Sequence, residues 1–589
     1  MRLKRIKLNS NFRSLHSGFE IDFIENKPDS YSEVNPYCLI GRNGSGKSNL
    51  LELLAFIFYN LELRCLEFFP EIFDKMDANY QIPEPSTKKR DETYPKSYEL
   101  EYYIGKNLIK VIKKDGAEEA IYKNDDLLKS LKDDKDAILP KFIVGYSSGE
   151  NEILSLPFFK MRFIQYDEYL KYLSDELPYS SPESRMVYLD SEYSQAIFLC
   201  NFLFQPEEIL DVFQDVLGIS ETKEFRIVIN QRHMHALEHE IQLNAGSETG
   251  INELNTYCGE LFKLTSDMLT KVGSTDSSKI LELVSKIESQ AQQTSITDYI
   301  ELTSSLSQQI KKLRNCATLE YFDNEKGHLV LDFFVDDKLK EAFRFYFKDE
   351  YSEPSPLELF KLFQVLLSLN LYQIEDDVKD KIYRSTSLFA KGRASLPHWE
   401  DRIFRFKRFM IKKNDSAILS KSLSDGEYQF LHTIGLALLY KNTNSIFLLD
   451  EPETHFNPEW RAKYISVLKK CFKGDLQTPE VLITSHSPFI ISDTNENNVL
   501  IFTKDDNGTT NCVRPDFNTF GASVSKITSK VFGTNSSIGD NSKNELELFK
   551  LQLDNNSDLK SLAAEVDEKF GESVEKFIFL KAIHTKLKG

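Results

Sequence analysis

An α/β fold is predicted, built around a glycine-rich turn that enters a helix, with a middle stretch that reads as helical. Three observations carry this. Leu39-Ile40-Gly41-Arg42-Asn43-Gly44-Ser45-Gly46-Lys47-Ser48 fits the pattern G-x-x-x-x-G-K-[ST]. An apolar run from Val34 to Ile40 precedes it as a short strand, and Leu50, Leu51, Leu53, Leu54, Ile57, Phe58 and Leu61 follow at helical spacing. Order becomes legible again near residue 417, in a second block of apolar strands and capped helices.

The turn's chemistry follows from its residue types. Gly41, Gly44 and Gly46 let backbone N–H groups approach phosphate oxygens without a clashing Cβ. Asn43, Ser45 and Asn49 belong to the same phosphate-facing stretch. Lys47 supplies a point charge for β- and γ-phosphates, and Ser48 a hydroxyl for Mg²⁺. The competing reading is a glycine-rich turn with a chance Lys-Ser. The strand before it and the helix after it argue against that.

The 589 residues suffice for two or more domains, or for one domain with a large insertion. The 41% hydrophobic and 12% aromatic content is that of a folded globular chain. No apolar run approaches the roughly 18 residues of a membrane span. Met1 to Leu8 carries basic residues without an apolar h-region, so it reads as a strand and not as a secretory signal. Seven scattered Cys without a C-x-x-C pair argue for a reducing cytoplasm, and against a zinc site or a disulfide framework. With 73 Lys plus Arg against 91 Asp plus Glu, the net charge is −18, which argues against a broad nucleic-acid-coating surface. A local basic patch is still open. Arg402 to Lys413 interleaves basic and aromatic residues. We read it as the charged face of a half-buried strand or helix, with a nucleic-acid patch as the alternative.

In order, residues 1–62 read strand, turn, strand, glycine-rich turn, helix. Residues 78–96, with Pro83, Pro85, Pro95 and Lys88-Lys89-Arg90, read as a surface loop. Glu99 to Ile112 forms an antiparallel pair turning at Gly105-Lys106-Asn107, and Phe142-Ile143-Val144 leads into Gly145 to Glu152. From about 160 to 400 the periodicity is helical: Ile280, Val284, Ile287, then Tyr299, Leu302, Leu306, Ile310 and Leu313, with one strand at Gly327 to Val335. No heptad run is sustained and no internal repeat is found. Ser424 and Glu427 are spaced as a capping box before a helix. A buried-type strand, Ile446 to Leu449, ends in Asp450-Glu451, and Asn457-Pro458 starts another helix. Val481 to Thr484 is a strand running into Ser485-His486-Ser487-Pro488, and Val499 to Val513 is a hairpin. The domain expectation is 1–160 with the glycine-rich turn, 161–400 as a mainly helical insertion, 401–535 as the second half, and 536–589 as a helical tail.

Each later motif is modest alone: a helix cap, a surface acidic pair, a satisfied turn. Their order is informative. Glycine-rich turn, long insert, Leu423-Ser424-Asp425-Gly426-Glu427 and helix, strand–Asp450-Glu451, strand–His486 resembles the ABC-type ATPase fold in its soluble RecF/SMC/OLD-like branch. The resemblance covers about 1–62 and 415–505. It implies an ABC ATPase head, a P-loop sheet with an antiparallel β subdomain, split by the mainly helical insertion. It implies ATP and Mg²⁺ as ligands, with Ser48 and Asp450 on the metal, Glu451 as general base and His486 sensing the γ-phosphate. It also implies that Ser424, Gly426 and Glu427 face the P-loop of a second subunit, so that ATP glues a head-to-head homodimer or a higher homo-oligomer.

Two departures stand out. Asp425 occupies the place of the usual first signature glycine, and no Q-loop glutamine is evident; Gln165 is the one candidate, with 145–152 an alternative position. The lack of long coils and a Cys hook argues against chromosome-bridging SMC types. Nothing after 505 reads as a Toprim nuclease. Tyr146 to Glu152, His486 to Ile490 and Thr519 to Ala522 are similar to the ATPase of Septu-type and retron-linked anti-phage systems. That likeness implies a cytoplasmic ATPase controlling a separate HNH-type nuclease, with nucleic acid as a further possible partner and no membrane role. A RecF-like repair ATPase and a nucleotide-locked scaffold with little turnover are the alternatives.

Overall fold

The computed structural model describes residues 1–23, 34–68, 70, 94–148, 154–175, 177–179, 181–188, 191–230, 234–235, 300–323, 326–383, 385, 396–473, 477–506, 508–533, 538–553 and 558–588. Most of the surface loop read at 78–96, the segment 149–152 and the helical periodicity at 280–299 lie outside them.

The central layer is a seven-stranded sheet of order β20-β19-β3-β18-β17-β8-β9. Its strands are β3 (Tyr37–Gly41), β8 (Ile143–Ser147), β9 (Met186–Tyr188), β17 (Ile446–Asp450), β18 (Glu480–Ser485), β19 (Val499–Lys504) and β20 (Thr510–Val513). All neighbours pair in parallel except the β19–β20 edge. Strands β3, β17 and β18 are buried along their whole length, which is why they read as unbroken apolar runs instead of alternating.

Helix α1 (Lys47–Cys65) leaves the end of β3 and lies within the core. Every apolar position of the expected stripe, Leu50 to Leu61, is at most 1% exposed. Helix α2 (Ser155–Ser174) packs beside α1. Helix α3 (Asp425–Leu439) opens with the expected capping box: Ser424 accepts from the Glu427 N–H, and the Glu427 carboxylate accepts from the Ser424 N–H at 2.9 Å. Helix α4 (Pro458–Cys471) is capped by Asn457, which accepts from the Trp460 N–H at 2.8 Å.

A second, six-stranded antiparallel sheet covers one flank, with order β2-β1-β4-β5-β6-β7. It comprises β1 (Arg2–Leu8), β2 (Glu20–Asp22), β4 (Tyr98–Ile104), β5 (Asn107–Lys113), β6 (Ala120–Lys123) and β7 (Asp126–Leu127). The expected β4–β5 pair turns at Gly105-Lys106.

The stretch expected as a helical insertion, 161–400, contributes strands as well as helices, and they join the start of the expected second half in a third sheet. Strands β10 (Ile219–Asn230), β13 (Leu319–Asp323), β14 (His328–Phe334), β15 (Phe404–Lys413) and β16 (Ser416–Leu419) form an antiparallel sheet of order β13-β14-β10-β15-β16. Residues 234–235 (β11) and 300–301 (β12) form a short parallel pair. From sequence, β14 was read as a strand and the β15 stretch as a strand or helix; β10, β13 and β16 were not read. The longest strand, β10, shifts register against β15 at three places, and each bulge breaks the period-two alternation that marks a strand. Strand β15 is the basic, aromatic run. Phe404, Phe406 and Phe409 face the core, while Arg408 pairs with Glu224 at 2.6 Å and Lys412 with Glu221 at 3.5 Å. Of the two forms the half-buried reading left open, that stretch is the strand.

The C-terminal helices Asp540–Leu553, Leu559–Lys569 and Val574–Lys588 share their own small core of Leu546, Phe549, Leu562, Val566, Phe579 and Ile583. Among the described residues no helix is long and apolar enough to cross a membrane. The six described cysteines form no disulfide with one another.

Candidate active site

The site forms at the carboxyl ends of four adjacent parallel strands, β3, β18, β17 and β8, where open α/β sheets place their ligand crevices. The turn after β3 folds on itself: the Ser45 N–H donates to the Arg42 carbonyl at 3.2 Å, leaving Asn43 and Gly44 at its tip. Gly46 is the N-cap of α1. Gly41 cannot be replaced: its φ is +148°, and a Cβ there would stand 2.3 Å from the Phe502 carbonyl oxygen. Asn49 accepts from the Ser14 hydroxyl at 2.6 Å and donates to Glu52 at 3.3 Å, so its amide braces the turn from behind.

Lys47 reaches back across this turn. Its Nζ donates to the carbonyls of Gly41 at 3.2 Å and Arg42 at 3.3 Å, and lies 2.9 Å from His486 Nε2. Burial lowers its pKa, and the carboxylates of Glu451, Asp450 and Glu453 oppose that. Ser48 donates its hydroxyl to Asp450 Oδ1 at 2.7 Å. Thr484 donates to the same oxygen at 2.6 Å, and Ser147 to Oδ2 at 3.2 Å. Burial raises the Asp450 pKa, and these hydroxyls pull it back by stabilising the charged form.

Glu451 stands just beyond the strand end with φ of +48°, a conformation that costs a residue with a side chain about 1–3 kcal/mol. Hydrogen bonds on both sides of the peptide hold it there. Its N–H donates to Thr484 Oγ1 at 2.9 Å, and its carbonyl accepts from Ser148 at 2.5 Å and Thr454 at 2.9 Å. The carboxylate projects toward His486, with Nε2 3.2 Å from Oε1, and that contact is the main reason its pKa lies below the usual glutamate range. Glu453, two residues on, is buried; burial pushes its carboxyl up to about 7, and it accepts from the Ser485 hydroxyl.

Residues 1–491 match the AAA ATPase domain family, AAA_15. The chain belongs to that family. No curated protein matches. Among solved structures, the chain is similar to the Smc head domain with an extended coiled coil bound to the C-terminal domain of ScpA from Pyrococcus furiosus, at 12% identity and TM-score 0.30, covering 87% of this chain and 96% of that one. The SMC head domain from Thermotoga maritima matches at 11% identity and TM-score 0.27, covering 88% and 100%. The recombination mediator protein RecF-ATPrS in the RecFOR pathway matches at 14% identity and TM-score 0.27, covering 87% and 98%.

In this AAA ATPase the expected residues Lys47, Ser48, Asp450, Glu451 and His486 lie together. Ser424, Gly426 and Glu427 form the start of α3, with Ser424 exposed. Helix α3 meets the site through the loop after Glu451. A Cβ on Gly426 would lie 2.6 Å from the His455 carbonyl oxygen, and Gln429 accepts from the His455 N–H at 3.0 Å. Gln165 is turned away to the sheet edge, its amide donating to the Met186 carbonyl at 3.4 Å. Ser147 and Ser148, at the end of β8, contact Asp450 and Glu451 instead.

The residues of the AAA ATPase fit a phosphate and its cation. Ser45 Oγ is buried in the turn without a hydrogen-bond partner, and Lys47 presents a buried ammonium beside it. Ser48 and Asp450 are oxygen donors of the kind a hard divalent cation takes. Thr484 was missed as a site residue, and Ser147 and Ser148 were included only within the 145–152 segment, without the contacts they make. Their signal was available: each sits within one residue of the carboxyl end of an apolar strand.

Proposed function

We propose that this AAA ATPase binds MgATP and hydrolyses it at a site completed by a second copy of the chain. The observation that carries the reading is the hydrogen-bond cluster of Lys47, Ser48, Asp450, Glu451 and His486. The P-loop amides of Gly41 to Asn49 and the Lys47 ammonium hold the β- and γ-phosphates. Ser48 and Asp450 would hold Mg²⁺, which neutralises phosphate charge when bound. Glu451 takes a proton from water as its oxygen attacks the γ-phosphorus; the bond to the β–γ bridging oxygen breaks, and ADP leaves. His486 positions the Glu451 carboxylate and senses the γ-phosphate. Ser424, Gly426 and Glu427 offer the N-terminus of α3 to the γ-phosphate bound by the other copy, a role supported by the exposure of Ser424.

ATP then closes a head-to-head homodimer and hydrolysis opens it. We extend this to anti-phage defence, in which the cycle controls a separate HNH-type nuclease, on the likeness of Tyr146 to Glu152, His486 to Ile490 and Thr519 to Ala522 to Septu-type and retron-linked ATPases. The test is purification with natural partners, mass measurement, and nuclease assay with and without ATP. A co-purifying nuclease whose activity follows ATP is expected. A lone dimer that turns over ATP and acts on DNA breaks would replace the defence reading by a repair one. An assembly that needs ATP without consuming it would replace the enzyme by a scaffold.

A further inference from the structure

A cleft of about 560 Å³ opens between the end of β8, the flank of α3 and the start of β15. It is separate from the P-loop, and the ATPase reading leaves it unused. Arg402, Arg405 and Lys421 line it, with Glu192 and Asp425 as the carboxylates. Glu192 pairs with Arg402 at 3.0 Å. Trp399 fixes two of the cations: the Arg402 guanidinium lies 5.2 Å and the Lys421 ammonium 5.0 Å from its ring centroid.

Arg405 is the informative residue. It is 2% exposed, yet its Nη1 donates only to backbone carbonyls, those of Glu400 at 3.1 Å and Arg402 at 3.2 Å. Its Nε is buried with no acceptor, as is that of Arg402. Among the described residues no carboxylate forms a salt bridge with Arg405. The carboxylates of Glu400 and Asp401 act on this guanidinium through space but neither bonds it; two buried guanidinium N–H groups without an acceptor are costly, and an anion in the cleft they line would supply one. Tyr146, Tyr188 and Tyr428 add aromatic rings to a lining that also holds Ser194, Gln195 and Gln429, and the volume is that of a small-ligand site.

We propose that this cleft binds a phosphorylated ligand of nucleotide size, its phosphate on Arg405, Arg402 and Lys421 and its ring against the aromatic wall. The guanidinium fork favours phosphate, and the aromatic lining adds a surface for a planar base. The same chemistry is offered by a free mononucleotide and by the phosphorylated end of a strand. Ser147 and Ser148 form part of the cleft and also bond Asp450 and the Glu451 carbonyl, so an occupant would touch the wall that holds the metal aspartate and the base. Binding itself does not depend on ATP turnover.

The experiment uses the full chain carrying Lys47→Ala, to weaken phosphate binding at the P-loop. It is titrated by calorimetry with thymidine 5′-monophosphate, a 5′-phosphorylated pentathymidylate, thymidine and inorganic phosphate. The monophosphate or the phosphorylated strand should bind once per chain, with thymidine and inorganic phosphate about tenfold weaker or more. Monophosphate binding would identify a free nucleotide as the ligand, and binding of the strand alone a strand end. Adding Lys421→Gln should weaken binding about tenfold, and Arg405→Gln more. Lys421 is exposed, so its variant remains informative if the buried Arg405 variant does not fold. The inference is overturned if neither nucleotide probe binds, if inorganic phosphate binds as tightly, or if the Lys421→Gln background binds unchanged.

Discussion

The Nε2 atom of His486 lies 2.9 Å from the Lys47 ammonium and 3.2 Å from the Glu451 carboxylate, so one ring nitrogen faces both the proposed phosphate-binding cation and the candidate base. It cannot serve both at once. With a lone pair it accepts from Lys47; with a proton it donates to Glu451. A γ-phosphate that draws Lys47 away would release the nitrogen to Glu451. In the proposed cycle, binding and base positioning are thereby tied to one side chain.

That relationship fixes a pH signature. The hydrogen bond from His486 is the main cause of the lowered Glu451 pKa. A base works when deprotonated, so the acid limb of the turnover profile follows that pKa. In His486→Ala the pKa should rise toward the ordinary glutamate value, and the acid limb should move to higher pH. The check is kcat/KM against pH for both proteins. An acid limb that stays in place would mean that His486 does not act through Glu451.

Glu451→Gln should keep ATP affinity and lose turnover by about 10²–10⁴-fold, since an amide cannot take the proton. The strained backbone at this position is held by peptide contacts with Thr484, Ser148 and Thr454, which the substitution leaves alone. Nucleotide titration and phosphate release measure the two quantities separately. Equal turnover in mutant and wild type would place the base elsewhere.

Glu453 predicts a stability effect. Burial raises its carboxyl from 4.5 to about 7, so the folded chain favours the protonated form. Its contribution to stability is full below pH 4.5 and is lost as the pH rises through about 7. Gln keeps the shape and an acceptor for Ser485 without titrating. Glu453→Gln should therefore gain stability relative to wild type as pH rises across that window, read as the difference in Tm. A constant difference would show that the carboxyl is not held protonated.

Ser424→Arg should break ATP-dependent self-association while each chain still binds ATP. Ser424 also caps α3 through the capping box, and losing a cap costs about 1 kcal/mol. Melting temperature and solution mass, with ATP under non-hydrolysing conditions, are therefore measured together. A variant that melts lower but still associates would leave Ser424 as a cap alone and remove the shared site.

What the sequence determined by itself is local. The P-loop between strand and helix, the capping box of Ser424 with Glu427, the Asn457 cap and Asp450 at a strand end each depend on residues within a few positions, where backbone geometry and periodicity leave a readable mark. Tertiary structure decided which of these marks meet. Ser147 reaches Asp450 across 303 positions and Lys47 reaches His486 across 439. Parallel strands are neighbours through long crossovers, so their pairing leaves no signature in adjacent residues. The bulged β10 was hidden for a related reason: each register shift resets the alternation that would have revealed it, and only pairing with β14 and β15 makes it a strand.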